Sequence, residues 1–196
     1  MILAALGTSL TAWPEWQAPL QARIRAAFGA NARIVPVARP GACSRWGLSA
    51  VDEVVALRPD IVTVEFSIND AALWRGVSRA ESRRNLQIIL SRLKVGAPRA
   101  RPFVMITNPV FGWRGAVRPH LAAYFAQAEI IARGEGAGVI DQRPVWASLS
   151  DSSRRSAIPD GLHPRGPISA RLVSDLIGKT IAAEFGAGSR PERIVT

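Results

Sequence analysis

The sequence predicts an α/β fold, a parallel five-stranded sheet covered by helices on both faces, in the form of a three-layer α/β/α sandwich. Two observations carry that prediction. Short apolar runs alternate with amphipathic, helix-spaced segments along the chain, and the third run, with Ile61, Val62 and Val64, is apolar and β-branched, as a strand buried on both faces is. At 196 residues and 48% apolar composition the chain suits one packed domain. That domain is expected over residues 1–185, with a flexible tail over 186–196.

The elements follow in order. Ile2–Leu6 is the first strand, ended by Gly7. Pro14 suits a first helical turn, and Leu20, Ile24 and Phe28 continue at helical spacing until Gly29. Arg33–Val37 is the second strand, closed by Pro40-Gly41, and Leu48, Val51, Val54, Val55 and Leu57 mark the next helix face. Asp60–Phe66 reads as the third strand, and a helix near Ser78–Lys94 carries Leu86, Ile89, Leu90 and Leu93 on one stripe. Phe103–Thr107 is the fourth strand, followed by a helix with Leu121, Tyr124, Phe125, Ala128 and Ile131. Gly138–Asp141 is the fifth. A last helix, about Pro167–Phe185, is expected to turn Ile168, Leu172, Leu176, Ile181 and Phe185 inward. A flavodoxin-like strand order fits this alternation, and such sheets gather their chemistry outside the carboxyl ends of the strands.

Composition removes several classes of function. A single cysteine, Cys43, excludes an internal disulfide. With two histidines far apart no zinc site is expected, nor any other metal or cofactor. No apolar stretch reaches the roughly 18 residues of a membrane span. The opening run from Met1 to Gly7 lacks a basic leader, so the protein is read as soluble, cytoplasmic or exported if a leader has been trimmed. Net charge is +10, and of 25 basic residues all but Lys94 and Lys179 are arginine. These are dispersed, which permits attraction to polyanions but offers no clustered stripe for a specific nucleic-acid partner. Gly178-Lys179-Thr180 imitates a phosphate-loop ending without the required upstream glycine, since Val173 stands there. No Gly-x-Ser-x-Gly elbow occurs.

Chemistry-bearing residues do fall just after the strands. Ser9 follows the first, Gly41 the second, Asn69-Asp70 the third, and Asp160-Gly161-Leu162-His163 lies in the loop after the fifth. Ester cleavage requires a nucleophile, a base, a carboxylate to orient the base, and donors for an oxyanion. The base would be His163, beside a carboxylate, or His120, with none nearby.

On these residues the sequence resembles the SGNH hydrolases, also called the GDSL esterase/lipase family. Gly7-Thr8-Ser9-Leu10 is similar to the first block, Gly41 to the second-block glycine, Ser67-Ile68-Asn69-Asp70 to the third block, and Asp160-Gly161-Leu162-His163 to the last. The resemblance implies a triad of Ser9, His163 and Asp160, and an oxyanion hole formed by the Ser9 and Gly41 N–H groups with the Asn69 side-chain amide. Two departures stand out. Thr8 replaces the family aspartate, and Ser67, in place of a glycine, sets a side chain near Asn69.

The implied activity is hydrolysis of carboxylic esters through an acyl-serine, without cofactor. Candidate substrates are short acyl esters, acetyl above all, including an acylated carbohydrate. The sequence leaves open a thioesterase or lysophospholipase, and a non-hydrolytic acylated-glycan-binding or acyltransferase relative. Oligomeric state is not encoded in any pattern seen. Trp13, Trp46, Trp74, Trp113 and Trp146 all follow strand ends, and the first four are candidate substrate contacts, with Arg75 and Arg114 beside two of them.

Overall fold

The computed structural model describes residues 1–186 of the chain, so the expected tail over 186–196 lies outside the described residues apart from Gly186, which ends the last helix. Five strands, β1 (Ile2–Gly7), β2 (Arg33–Ala38), β3 (Ile61–Val64), β4 (Arg101–Ile106) and β5 (Gly138–Asp141), pair in parallel in the order β2-β1-β3-β4-β5. Ala4 in β1 lies opposite Val35 of β2 on one side and Val62 of β3 on the other. The strand order reverses between β1 and β3, so the crevice of this sheet opens beyond their carboxyl ends.

The helices are α1 (Ser9–Ala12), α2 (Gln17–Phe28), α3 (Ser44–Ala56), α4 (Ser67–Asp70), α5 (Arg79–Gly96), α6 (Gly112–Ala116), α7 (Leu121–Gly134), α8 (Arg143–Ala147), α9 (Asp151–Ala157) and α10 (Gly166–Gly186). Side chains alternate across the sheet, and each face builds a core. Ala4, Leu6, Val62, Val64, Val104 and Ile106 meet α3, α5 and α7 through Val51, Val54, Ile89, Leu93, Phe125 and Ile131. Leu3, Ala5, Ile61, Phe103, Met105 and Ile140 meet α2, α8 and α10 through Leu20, Ile24, Trp146, Val173 and Ile177. The predicted three-layer sandwich is therefore the observed one. Among the described residues no helix is long and apolar enough to cross a membrane.

Three expectations need correction. Pro14 does not start a helix: its carbonyl accepts from the Gln17 N–H in a turn, and α2 begins at Gln17. The third strand is shorter than expected, because the chain leaves the sheet after Val64 to place its next residues in the crevice. In α10 the buried row is Ser169, Val173, Ile177 and Ile181, with the expected Leu172 and Leu176 half-buried against the same core, while Ile168 is 65% exposed and the Phe185 side chain lies outside the described residues. The row was hidden by its polar first member. Ser169 satisfies its hydroxyl locally, donating to the Arg165 carbonyl at 2.5 Å, and so can be buried without cost to the stripe.

The two rows of α10 are separable by mutation. Ile177→Ala, at 0% exposure, is expected to cost about 2–5 kcal/mol in denaturant unfolding, and Ile168→Ala less than about 0.5 kcal/mol. Equal losses would return Ile168 to the core.

Candidate active site

The crevice collects side chains from four separate connections. Ser9 opens α1 directly after β1, and its Oγ lies 2.9 Å from His163 Nε2. His163 Nδ1 lies 2.6 Å from Asp160 Oδ2. With the Nδ1 proton directed at the carboxylate, Nε2 is left to accept from the serine hydroxyl. Asp160 and His163 sit on one tight turn, where Asp160 Oδ1 accepts from the N–H groups of Leu162 and His163 at 2.9 and 2.7 Å. Partial burial would raise the Asp160 carboxyl, but bonds from the His163 ring and from these two N–H groups outweigh it and hold it at about 2. The carboxylate is thus charged across the working range of a histidine.

Gly161 completes that turn with φ of +77°, and a Cβ there would stand 2.6 Å from the Phe111 carbonyl oxygen. Only glycine fits without strain. The Gly161 carbonyl in turn accepts from the Phe111 N–H at 2.8 Å. Trp13 stacks on the His163 ring at 5.8 Å between centroids.

On the other side of Ser9 stand Gly41 and Asn69. Gly41 has φ of +76°, and its N–H makes no hydrogen bond among the described residues. The Asn69 amide is buried and donates one of its two hydrogens to the Ala42 carbonyl at 2.8 Å, which fixes its direction and leaves the second free. Asp70 anchors this corner. Its carboxylate accepts from the Ser44 N–H at 2.8 Å and the Ser82 hydroxyl at 2.6 Å, tying α4 to α3 and α5. Burial raises the Asp70 carboxyl, against the lowering effect of those bonds.

The structure adds a residue that the sequence reading missed. Glu65, 3% exposed, lies beneath the serine turn, and its Oε1 accepts from the Thr8 N–H (2.6 Å), the Thr8 hydroxyl (2.8 Å) and the Thr11 hydroxyl (2.9 Å). Thr8, the departure from the family aspartate, thereby donates twice to one carboxyl oxygen. Burial pushes Glu65 up to about 7, against these three bonds. Its Oε2 has no partner among the described residues and lines a narrow pocket with Thr11, Trp13, Thr107, Gln142 and His163. A charged residue interrupting an otherwise apolar strand was the available signal.

The predicted substrate contacts divide. Trp74 and Trp113 are 52% and 62% exposed, and their rings lie 6.2 Å apart. Trp13 flanks the imidazole. Trp46 instead packs edge-on against Phe66 at the core margin, and Trp146 is wholly buried. His120 is exposed at the start of α7, without a carboxylate partner among the described residues. Among the described residues no group of acidic, histidine or cysteine side chains is placed to hold a metal ion.

Comparison with known proteins identifies the family of the chain and shows which solved folds it resembles. The model of the GDSL-like Lipase/Acylhydrolase family matches residues 4–167. No curated protein matches by sequence. Among solved structures, the lipase/acylhydrolase from Enterococcus faecalis has a TM-score of 0.79 at 22% identity, covering 94% of this chain and 97% of that one. TesA gives 0.71 at 21% identity, over 93% and 99% of the two chains. A catalytic mutant of Axe2, an acetylxylan esterase from Geobacillus stearothermophilus, gives 0.69 at 19% identity, covering 94% of each. At such identities the likeness is one of fold.

Glu65 makes stability depend on pH in a defined direction. Its folded value of about 7 exceeds the ordinary 4.5, so the folded state binds the extra proton between them. Stability is then full below the lower value and declines as pH rises through the upper, on the order of 3 kcal/mol in all. Denaturant midpoints at acid and mildly alkaline pH should show this fall in the native chain, and Glu65→Gln should abolish it. An unchanged slope in that variant would remove Glu65 from the account.

Proposed function

The chain belongs to the GDSL-like Lipase/Acylhydrolase family of ester hydrolases, and from that premise we propose that it cleaves carboxylic esters through an acyl-serine formed on Ser9. The observation that carries the proposal is the continuous contact from Ser9 Oγ to His163 Nε2 and from His163 Nδ1 to Asp160, at 2.9 and 2.6 Å. In this reading the Ser9 hydroxyl attacks the ester carbonyl while His163 takes its proton. Asp160 holds the ring in the tautomer that leaves Nε2 free and stabilises the imidazolium that forms. The oxyanion meets the Ser9 and Gly41 N–H groups and the second hydrogen of the Asn69 amide. His163 then returns its proton to the departing alcohol, and a water activated by the same imidazole releases the acid.

The favoured substrates carry short acyl groups, most simply acetyl on a carbohydrate. Two features support this. The exposed Trp74–Trp113 pair offers flat faces of the kind that sugar rings stack on, and the fold resembles that of an acetylxylan esterase. A long acyl chain would call for a continuous aliphatic groove, and the exposed edge at Trp74 and Trp113, with Arg114 over the latter, is aromatic and cationic instead.

Three measurements test the reading. Ser9→Ala is expected to abolish hydrolysis of an aryl acetate while leaving the fold intact, and a serine-directed phosphonate should add its mass at Ser9; an adduct on Ser44 or Cys43 would contradict the assignment. His163→Ala should lower kcat by about 10³-fold or more, His120→Ala hardly at all, and native activity should fall on acidification as the base becomes protonated. Acetyl esters, including acetylated xylo-oligosaccharides, should be cleaved faster than octanoyl esters. The reverse order would leave the hydrolase standing and remove the substrate class.

A further inference from the structure

Positive charge accumulates on one side of the crevice with almost nothing to balance it. Arg75 ends a short 3₁₀ turn, Leu73–Arg75, that follows α4, while Arg114 lies in α6 and Arg118 just beyond it. Arg118 is 4% exposed and donates to the carbonyls of Ile68 (2.6 Å) and Arg114 (2.8 Å), and its guanidinium lies over Trp74. Burial, and after it Arg114 and Arg75, pushes Arg118 down to about 10. Arg114 lies over Trp113 and donates to the Asp160 carbonyl at 3.1 Å. The one ion pair that these three make among the described residues is between Arg114 and Asp160, at 3.7 Å, and Asp160 is already engaged with His163.

Arg118 and Arg114 thus have structural tasks, clamping α6 against α4 and the Asp160 turn. Arg75 has none for its side chain. Its Nε is buried without a partner, and its guanidinium makes no hydrogen bond or ion pair among the described residues. Its backbone is held from behind, where Arg45 donates to the Arg75 and Gly76 carbonyls at 3.0 and 2.9 Å and pairs with Glu81. The guanidinium Nη2 lies 2.9 Å from the position a Gly41 Cβ would occupy. An unpaired guanidinium fork therefore sits against the Gly41 turn, in the field of two further arginines. Such a fork matches the two oxygens of a carboxylate.

We propose that the substrate ester bears a carboxylate a few bonds from the scissile carbonyl, bound by Arg75 with Arg114 and Arg118 supplying field. The proposal rests on the esterase reading above and narrows its substrate class to anionic esters. The carboxylate can belong to the acid part, as in a monoester of a dicarboxylic acid, or to the alcohol part, as in an acetylated uronic acid.

Two substrate pairs separate these sources: monoethyl succinate against ethyl valerate, and an O-acetylated methyl glucuronide against the corresponding xyloside. In at least one pair the charged member should have a kcat/KM about tenfold or more above its neutral partner at low salt, a margin that added salt narrows. Arg75→Gln should collapse that ratio, and Arg75→Lys should restore part of it. No preference in either pair, or equal loss on charged and neutral esters in Arg75→Gln, overturns the proposal. A turnover-free measurement keeps it distinct from the esterase reading. Succinate added to Ser9→Ala should change the tryptophan fluorescence saturably, through Trp74 and Trp113, and adding Arg75→Gln should remove the response. Absence of any response in Ser9→Ala overturns the anion site. A response without ester hydrolysis by the native chain would leave the anion site in place and overturn the esterase reading.

Discussion

A buried carboxyl group with no cation beside it sets the geometry on which the crevice depends. Glu65 emerges from β3 at the point where that strand parts from β1, and it reaches under the turn that carries Ser9. Left alone it would be among the most expensive groups in the molecule. It is tolerated because three donors of a single turn converge on one of its oxygens. The same convergence leaves that turn few alternatives. Moving the Thr8–Thr11 segment would strand a buried acceptor, so the direction of the Ser9 hydroxyl is fixed from below as well as by its imidazole partner. Thr8 belongs to this device: a second carboxylate at that position would face Glu65 at hydrogen-bonding distance, whereas a threonine hydroxyl donates to it.

A comparable division of labour runs through the other charged groups. Asp70 locks the Asn69 corner by accepting from α3 and α5, and Arg118 locks α4 to the segment after α6 by donating to carbonyls. Each is buried and each is satisfied by neutral partners. The donors of the proposed oxyanion site therefore stand on a frame of charge-to-neutral hydrogen bonds, which keep their geometry without adding an opposing ion to the crevice. Arg75 is the exception, held by its backbone with its side chain left over.

Much of this was legible in the sequence, for a physical reason. Parallel strands buried in a sheet must be continuous apolar runs, so β1, β2, β4 and β5 could be located to within two residues at either end, and the first three chemical blocks fell just past strand ends, while the fourth lies beyond α8 and α9. What could not be read was local satisfaction of polarity. Ser169 looked like a surface residue because its bond to the Arg165 carbonyl has no sequence pattern. The helices α1, α4, α6, α8 and α9 span too few residues for a period to show. Trp46 and Trp74 occupied equivalent places in the reading, and only packing distinguishes the indole that seals the core from the one left on the rim.

The turn from Asp160 to His163 has an effect on how this crevice can vary. Asp160 and His163, the proposed carboxylate and base, are separated by two residues, share one tight turn, and are pinned as a unit where the Phe111 N–H donates to the Gly161 carbonyl at 2.8 Å. They cannot drift apart without breaking the turn itself, so what aligns them with Ser9 is the gap between this turn and the end of β1. The long segment between β5 and α10 could therefore vary in length and composition while the turn it delivers stays the same.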